Sequence, residues 1–220
     1  MNREELSDRL LSIIFPARCV VCSRVVDYDM LWCGCGLEAN QQKITLENGT
    51  CCISAYSYDN RARDLILRFK KEKDIRTARF IANRIVESAA LLGMNFDFDA
   101  IVPVPPREGA QQNDHAYRIA KALSQDLALP LYNSALGRRA DSEIQHRLKY
   151  HERRKNAQKS YYAKQHPLEE KRVLLVDDIV TTGATLSACA AELLSSGVAG
   201  VFAVAFAATS IGDEMVTANQ

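Results

Sequence analysis

Residues 173–185 read VLLVDDIVTTGAT, an apolar run that ends on two carboxylates and continues into threonines and a glycine. The apolar residues predict a buried strand, and Asp177 and Asp178 would lie at its carboxyl end, where open parallel sheets bind ligands. The loop that follows would lead to a helix N-terminus, whose unpaired N–H groups and partial positive charge suit a phosphate. The threonine hydroxyls add donors, and the glycine lets the backbone approach the anion.

The two carboxylates would repel a phosphate, so we expect them to face another part of the ligand. Ribose hydroxyls are suitable partners, because a carboxylate accepts hydrogen bonds from a diol. A ligand with a 5-phosphate and free ribose hydroxyls would satisfy both halves of the segment. The alternative is a capped turn in which Asp and Thr are ordinary loop residues. No lysine follows the glycine, which excludes a nucleotide-hydrolase P-loop.

The same segment closely resembles the phosphoribosyl pyrophosphate (PRPP) motif of type I phosphoribosyltransferases. The resemblance implies that Asp177 and Asp178 bind the ribose hydroxyls and that Mg²⁺ accompanies the pyrophosphate. It also implies that the 5-phosphate is cradled by Thr181, Thr182, Gly183, Ala184 and Thr185.

Several further segments resemble ComF-type proteins in their order along the chain. They are a cysteine-rich N-terminus, LILRFKKEKD, IVPVP and QHRLKYHERRKNAQKSYYA. The resemblance implies a role in natural competence, the uptake of single-stranded DNA, with a DNA-uptake helicase as a partner. It also implies phosphoribosyl transfer from PRPP as the candidate enzyme activity. The alternative is a PRPP-sensing regulator or a nucleic-acid-binding module without catalysis.

One stretch departs from the family pattern, which has Arg-Gly-Phe-Asn followed by Gln or His after the IVPVP strand. The matching residues here are QQNDHA, so Gln111 replaces the arginine and Asp114 the asparagine, whereas His115 fits. An arginine in this loop would bind pyrophosphate and stabilise the leaving group. Arg107 lies nearby as a candidate, and the departure bears on catalysis more than on binding.

Six of the seven cysteines lie between positions 19 and 52. Their spacing predicts a zinc site with the ligands Cys19, Cys22, Cys33 and Cys35, because a segment this small needs a metal in place of a core. Cys51 or Cys52 is the alternative to one ligand of the CxC pair. Cys189 falls within an apolar helix and is expected in the core.

The stretch 138–159 carries eight Lys or Arg against three acids, with tyrosines beside it. Basic residues next to exposed aromatic rings can hold single-stranded nucleic acid. The alternative is a solvated segment over the PRPP site. The candidate contacts to pyrophosphate or nucleic acid are Arg107, Arg138, Arg139, Arg153 and Arg154. The KSYYA tyrosines are also candidates for packing residues.

Strands and helices alternate from about residue 56, and the strands are apolar throughout. This pattern predicts an α/β fold, a mostly parallel sheet with helices on both faces, preceded by a small zinc module. The predicted divisions are 1–55 for an N-terminal helix and the zinc module, 56–212 for the phosphoribosyltransferase-like domain and 213–220 for a tail.

The chain as a whole gives no electrostatic argument for nucleic acid or membranes, since its net charge is +1 over 220 residues. No apolar run reaches 18 residues, so no membrane span is expected. The N-terminus predicts a short amphipathic helix that ends at Pro16 and lacks the apolar core of a signal peptide. These features predict a cytoplasmic protein, in which reduced cysteines would bind metal.

Overall fold

The computed structural model describes residues 16–72, 74–106, 114–139, 160–165 and 167–209. The predicted N-terminal amphipathic helix and C-terminal tail lie outside these residues. The strands are β1 (Gln42–Thr45), β2 (Cys51–Ser57), β3 (Ala100–Pro103), β4 (Leu136–Arg138), β5 (Tyr161–Ala163), β6 (Arg172–Val180) and β7 (Gly200–Ala208). The helices are α1 (Asn60–Glu72), α2 (Ile75–Leu91), α3 (His115–Leu127) and α4 (Ala184–Ser195).

The main sheet has the strand order β1-β2-β7-β6-β3. The four strands from β2 to β3 are parallel, and only β1 is antiparallel to its neighbour. The carboxyl ends of the parallel strands therefore meet at one edge of the sheet. Strands β4 and β5 form a separate antiparallel hairpin.

Two apolar clusters cover the two faces of this sheet. Leu174 and Val176 of β6 belong to a cluster with buried residues of α1, α2 and α3. Val173 and Leu175 belong to the other cluster, with buried residues of α4 and the hairpin. Successive residues of a strand point to opposite faces, so an unbroken apolar run buries both. The predicted doubly covered parallel sheet is confirmed.

Local interactions set several of the element boundaries, and one boundary differs from the predicted division of the chain. Asp74 caps α2 by accepting hydrogen bonds from the N–H groups of Arg76 and Thr77. Residue 55 falls inside β2, so the main sheet includes the end of the segment assigned to the zinc module. Gly197 follows the end of α4 with a φ of +93°, the left-handed conformation expected beyond a helix C-terminus.

Within the described residues, none of the helices combines the length and the apolar character needed to span a bilayer.

Candidate functional site

The two acids lie inside β6, because the strand continues four residues past the apolar run, to Val180. Strand β6 pairs with β7 as far as Val180, but it pairs with β3 only as far as Val176. The backbone N–H of Val104 still donates to the Val176 carbonyl at 2.9 Å, and the chain of β3 then leaves the sheet. Asp177 and Asp178 therefore lie where β6 is still paired with β7 but is no longer paired with β3.

Asp178 points toward α1. Its Oδ2 accepts an ion pair from Lys70 Nζ at 2.7 Å, and its side chain retains only 14% exposure. Lys70 was not identified from the sequence, although a signal was present. It lies four residues after the buried Ile66 and next to the buried Phe69, so it shares the buried side of α1. A lysine on the buried side of a helix is placed to contact a side chain of another element.

Asp177 points to the other side of the strand, where α4 and the hairpin pack. Its carboxylate interacts electrostatically with Cys52, Cys189 and Tyr161, which are all buried. Burial, followed by the neighbouring Asp178 carboxylate, raises the pKa of Asp177 well above its usual range, and Lys70 opposes the shift. The Asp178 N–H donates to Asp177 Oδ1 at 2.8 Å. The two acids therefore differ in their surroundings: Asp178 pairs with Lys70, whereas Asp177 lies among buried side chains on the other side of β6.

The predicted phosphate loop joins β6 to the start of α4. Gly183 has a φ of +73°, and a Cβ there would lie 2.8 Å from Leu46 Cδ2, so both conformation and space favour glycine. Thr181 and Thr182 are exposed. The Thr182 hydroxyl accepts from the Ala184 N–H at 3.3 Å, which holds the loop against the helix start.

A second contact closes the loop from the neighbouring strand. The Thr209 hydroxyl donates to the Thr181 carbonyl at 3.0 Å, and its N–H donates to the Val180 carbonyl at 2.9 Å. We call Lys70, Asp177, Asp178 and residues 181–185 together the phosphosugar edge. Its acids and its loop belong to one short stretch, residues 177–185, at the carboxyl end of the sheet, as the sequence predicted.

Thr185 also connects the loop to the hairpin, because its hydroxyl hydrogen-bonds the buried Tyr161 phenol. Arg138 Nη1 donates to the same phenol at 3.2 Å, and its guanidinium lies 5.3 Å from the ring centroid. Burial raises the pKa of Tyr161, and Arg138 opposes the shift. Tyr161 is thus a packing residue, and Arg138 contacts it. Arg139 is exposed, 5.9 Å from the centroid of the Tyr162 ring.

Of the stretch QQNDHA, which departs from the family pattern, the structure describes only the last three residues, from Asp114 on. Asp114 Oδ1 accepts from the Tyr117 N–H at 2.8 Å and caps α3. Asn and Asp are equally good caps, so the exchange preserves this role. Burial raises the pKa of Asp114. The His115 ring packs beside Phe69, with 5.8 Å between the ring centroids. Gln111, Arg107, Arg153 and Arg154 lie outside the described residues.

The four predicted metal ligands come together in one group, which we call the cysteine cluster: Cys19, Cys22, Cys33 and Cys35. All four sulfur atoms lie within 4.8 Å of one another, and the grouping could hold one metal ion. Cys19 and Cys35 Sγ are 3.7 Å apart, and Cys22 and Cys33 Sγ are 3.6 Å apart.

Two thiols of the cluster have pKa values that are shifted in opposite directions. Burial acts to raise the pKa of Cys19, but the Cys22, Cys33 and Val21 N–H groups and the Cys33 thiol lower it to about 6. Burial and contacts with the other three thiols raise the pKa of Cys35 to about 12. Thiolates, not thiols, bind metal, so an ion would displace these protons.

Arginines from α1 and α2 hold the backbone of the cysteine segment. Arg68 Nη2 donates to the carbonyls of Val20 and Val21, the latter at 3.1 Å. Arg61 Nη1 donates to the Gly36 carbonyl at 2.6 Å, and Arg76 Nη2 donates to a further carbonyl of the segment at 2.7 Å. The segment is therefore fixed to the same helix that carries Lys70.

The remaining cysteines lie apart from the cluster. Cys51 and Cys52 belong to β2, and Cys52 is fully buried in the apolar cluster on the α4 side. The alternative in which one of them replaces a ligand is not supported by the described residues. Cys189 is fully buried in the core, as predicted.

The phosphoribosyl transferase domain family matches residues 72–218 of this chain. The chain belongs to that family. The family assignment agrees with the parallel sheet and with the motif at the end of β6, and the type I phosphoribosyltransferase fold is confirmed. The cysteine cluster precedes the matched residues.

Curated relatives support the predicted resemblance to ComF-type proteins. The chain is 28% identical over 203 residues to the DNA utilization protein YhgH of Escherichia coli K12, covering 83% of this chain and 86% of that protein. The YhgH of Shigella flexneri gives the same identity and coverage.

Solved phosphoribosyltransferases are more distant. An orotate phosphoribosyltransferase from Aeropyrum pernix is 16% identical, with a TM-score of 0.42, 80% of this chain covered and 78% of that chain. A purine phosphoribosyltransferase from Pyrococcus horikoshii is 20% identical, with a TM-score of 0.37, 64% of this chain covered and 78% of that chain.

Proposed function

We propose that the phosphosugar edge binds Mg²⁺–PRPP. Residues 181–185 and the start of α4 take the 5-phosphate, and the acids at the end of β6 take the ribose hydroxyls. The single observation that carries this proposal is the position of two carboxylates a few residues before a glycine-led helix start, where β6 no longer pairs with β3. Mg²⁺ would arrive with the pyrophosphate, whose oxygens it prefers as ligands.

Calorimetric titration with Mg²⁺–PRPP tests the proposal. The parent is compared with Asp177→Asn, Asp178→Asn and the double variant, and Asp29→Asn, an exposed acid of the cysteine segment, is the matched control. We expect Asp178→Asn to lose about tenfold or more in affinity, because a charged acceptor is replaced by a neutral one. We expect Asp177→Asn to lose less, because burial raises the pKa of that carboxyl and so weakens its preference for the ionised form. Equal affinities of the parent and all variants for Mg²⁺–PRPP would contradict the proposal.

Phosphoribosyl transfer is a second candidate function, favoured by membership of the family. A nitrogen nucleophile would form a bond to the anomeric carbon as the bond to the pyrophosphate oxygen breaks, and pyrophosphate would leave with its electron pair. The protein would contribute positioning and charge stabilisation. Pyrophosphate release is measured across free bases. Tight PRPP binding without release from any base would favour a PRPP-sensing regulator instead.

We propose that the cysteine cluster holds a structural zinc ion. Tetrahedral zinc with Zn–S bonds of about 2.3 Å separates its sulfur ligands by about 3.8 Å. The two closest Sγ pairs of the cluster, at 3.7 and 3.6 Å, support this size. Four protein ligands leave no open position, so the role is structural. None of the seven cysteines forms a disulfide, which favours a cytoplasmic location. Metal analysis of the purified chain, with one zinc expected per chain, tests the assignment.

We propose single-stranded DNA as a further ligand, in the context of competence. The relatives named DNA utilization proteins support a connection with DNA. The hairpin supports a contact surface, because Tyr162 faces away from the buried Tyr161 and has Arg139 beside it. A basic side chain next to an aromatic ring suits a nucleic-acid backbone and a stacked base. A DNA-uptake helicase would be the protein partner in this context.

Fluorescence anisotropy with a labelled oligodeoxynucleotide tests the DNA contact. The variant Arg139→Gln/Tyr162→Leu is compared with the control Arg24→Gln, an exposed arginine of the cysteine segment. We expect the hairpin variant to bind several-fold more weakly. The salt dependence of its binding should fall by an amount that corresponds to about one phosphate contact. An unchanged affinity and salt slope would exclude the hairpin as the contact.

A further inference from the structure

We propose that Lys70 is a positioning residue of the phosphosugar edge: it fixes the Asp178 carboxylate by holding Oδ2, so that Oδ1 is presented to the ribose hydroxyls. This inference rests on the proposed function and extends it to α1, a helix outside the motif. Lys70 Nζ lies 2.7 Å from Asp178 Oδ2; the Asp178 side chain is 14% exposed and the Lys70 side chain is 35% exposed.

The ion pair counters the repulsion between the two adjacent carboxylates of the motif. Asp177 and Asp178 are adjacent carboxyls at a partly buried position, and the Asp178 carboxylate disfavours the charge of Asp177. An ionised carboxylate accepts stronger hydrogen bonds from a diol than a neutral acceptor does, and it binds best when it is already held in one orientation. Lys70 contacts Asp178 from the α1 side of β6, opposite to the side on which Asp177 lies, and so compensates the negative charge of Asp178.

Positioning matters because a free aspartate side chain has several rotamers. Fixing it before the ligand arrives removes an ordering cost from the binding step. Lys70 is itself ordered by its helix, since the preceding Phe69 is buried and its ring packs beside His115. Lys71 is the exposed neighbour on the same helix and provides a matched control of equal charge.

A direct contact with pyrophosphate would be a different role for the same cation, and two ligands separate the roles. Ribose 5-phosphate has the phosphate and the ribose hydroxyls of PRPP but lacks the pyrophosphate. A residue that positions Asp178 affects both ligands, whereas a pyrophosphate contact affects PRPP alone. Arginine at position 70 retains the charge and can still bind a carboxylate.

The experiment is calorimetric titration of the full chain with Mg²⁺–PRPP and with ribose 5-phosphate. The variants are Lys70→Met, Lys70→Arg, Lys71→Met, Asp178→Asn and Lys70→Met/Asp178→Asn, with thermal melting as the check of folding. We expect Lys70→Met to weaken both ligands by about tenfold and Lys70→Arg to restore most of the affinity. We expect Lys71→Met to stay within about twofold of the parent, as for a solvated surface charge.

The double variant gives the sharpest result. If Lys70 acts through Asp178, adding Lys70→Met to Asp178→Asn costs no further affinity, because the group that it positions has lost its charge. Additive losses overturn the inference, and so does a loss confined to PRPP. A Lys70→Met affinity equal to that of Lys71→Met overturns it as well. Parent protein that binds neither ligand overturns the proposed function itself, which is a distinguishable result.

Discussion

The cysteine cluster and the phosphosugar edge are assembled in different ways. The cluster takes its four ligands from one short segment, Cys19 to Cys35, whose loops have little apolar core of their own. The phosphosugar edge combines Lys70 of α1 with acids of β6, and the sheet sets their separation. The first site therefore depends on ligand chemistry, and the second depends on the packing of distant elements.

Helix α1 connects the two regions. Arg61 and Arg68 donate to backbone carbonyls of the cysteine segment, and Lys70 contacts Asp178. A helix fixed at both sites can transmit a loss of order from one to the other. Variants that damage one region and leave the other intact measure how independent the two regions are.

The largest effect is expected from loss of the metal. The variant Cys22→Ser should lose the ion and about 4 kcal/mol or more of stability, since the segment has little apolar core of its own to replace the metal. Metal content and thermal unfolding of the purified chain measure both quantities. Cys51→Ser is the control, because Cys51 lies in β2 apart from the cluster.

Ligand binding in the same variant sharpens the comparison. We expect Cys22→Ser to bind Mg²⁺–PRPP more weakly than the parent but more tightly than Asp178→Asn, because it reaches the phosphosugar edge only through α1. Full retention of affinity would show that the two regions are independent. Retention of metal by Cys22→Ser would contradict the four-ligand assignment.

The next effect concerns the phosphate loop. Gly183→Ala should cost about 1–2 kcal/mol for a side chain at positive φ and about 1 kcal/mol more for the contact with Leu46. Gly93→Ala is a close control, because Gly93 has a φ of +74° and no atom within 4 Å of the added Cβ. The difference between the two losses in thermal unfolding isolates the contact. Equal losses would mean that Leu46 moves aside without cost.

Asp177→Asn should raise stability at neutral pH. The folded-state pKa of Asp177 is raised, so the folded protein binds its proton more tightly than the unfolded chain does. Its contribution is therefore most favourable in acid and is lost as the pH rises through the folded-state pKa. The melting temperature of the variant should exceed that of the parent at pH 7, by about 2–4 °C for each kcal/mol gained.

The gain of Asp177→Asn should shrink toward pH 4, near the unfolded-state pKa of about 3.9. The control Asp29→Asn, at an exposed position, should show no such trend. A variant that is less stable than the parent at pH 7 would show that Asp177 is favourably ionised in the fold. Stability gained at a ligand site at the expense of affinity is a common trade-off.

Sequence patterns predicted the parts of the molecule that depend on local chemistry. The apolar run 173–176 lies in a strand, and the spacing of the cysteines predicted all four members of the cluster. The strand β6 extends past its apolar residues because Asp177 to Val180 pair with Ala205 to Ala208, a partner that no local pattern reveals. The ion pair of Lys70 and Asp178 is likewise a product of the fold.

The smallest effect is expected at the junction of the hairpin and the phosphate loop. Tyr161→Phe keeps the buried ring but removes the oxygen that contacts Arg138 and Thr185. Arg138 is half-buried and can turn to water, so we expect a loss of about 1 kcal/mol in stability. Affinity for ribose 5-phosphate should fall by less than about threefold, because Thr185 then loses only one constraint on its orientation. A loss comparable to that of Gly183→Ala would mean that the hairpin, and not the sheet alone, sets the geometry of the phosphosugar edge.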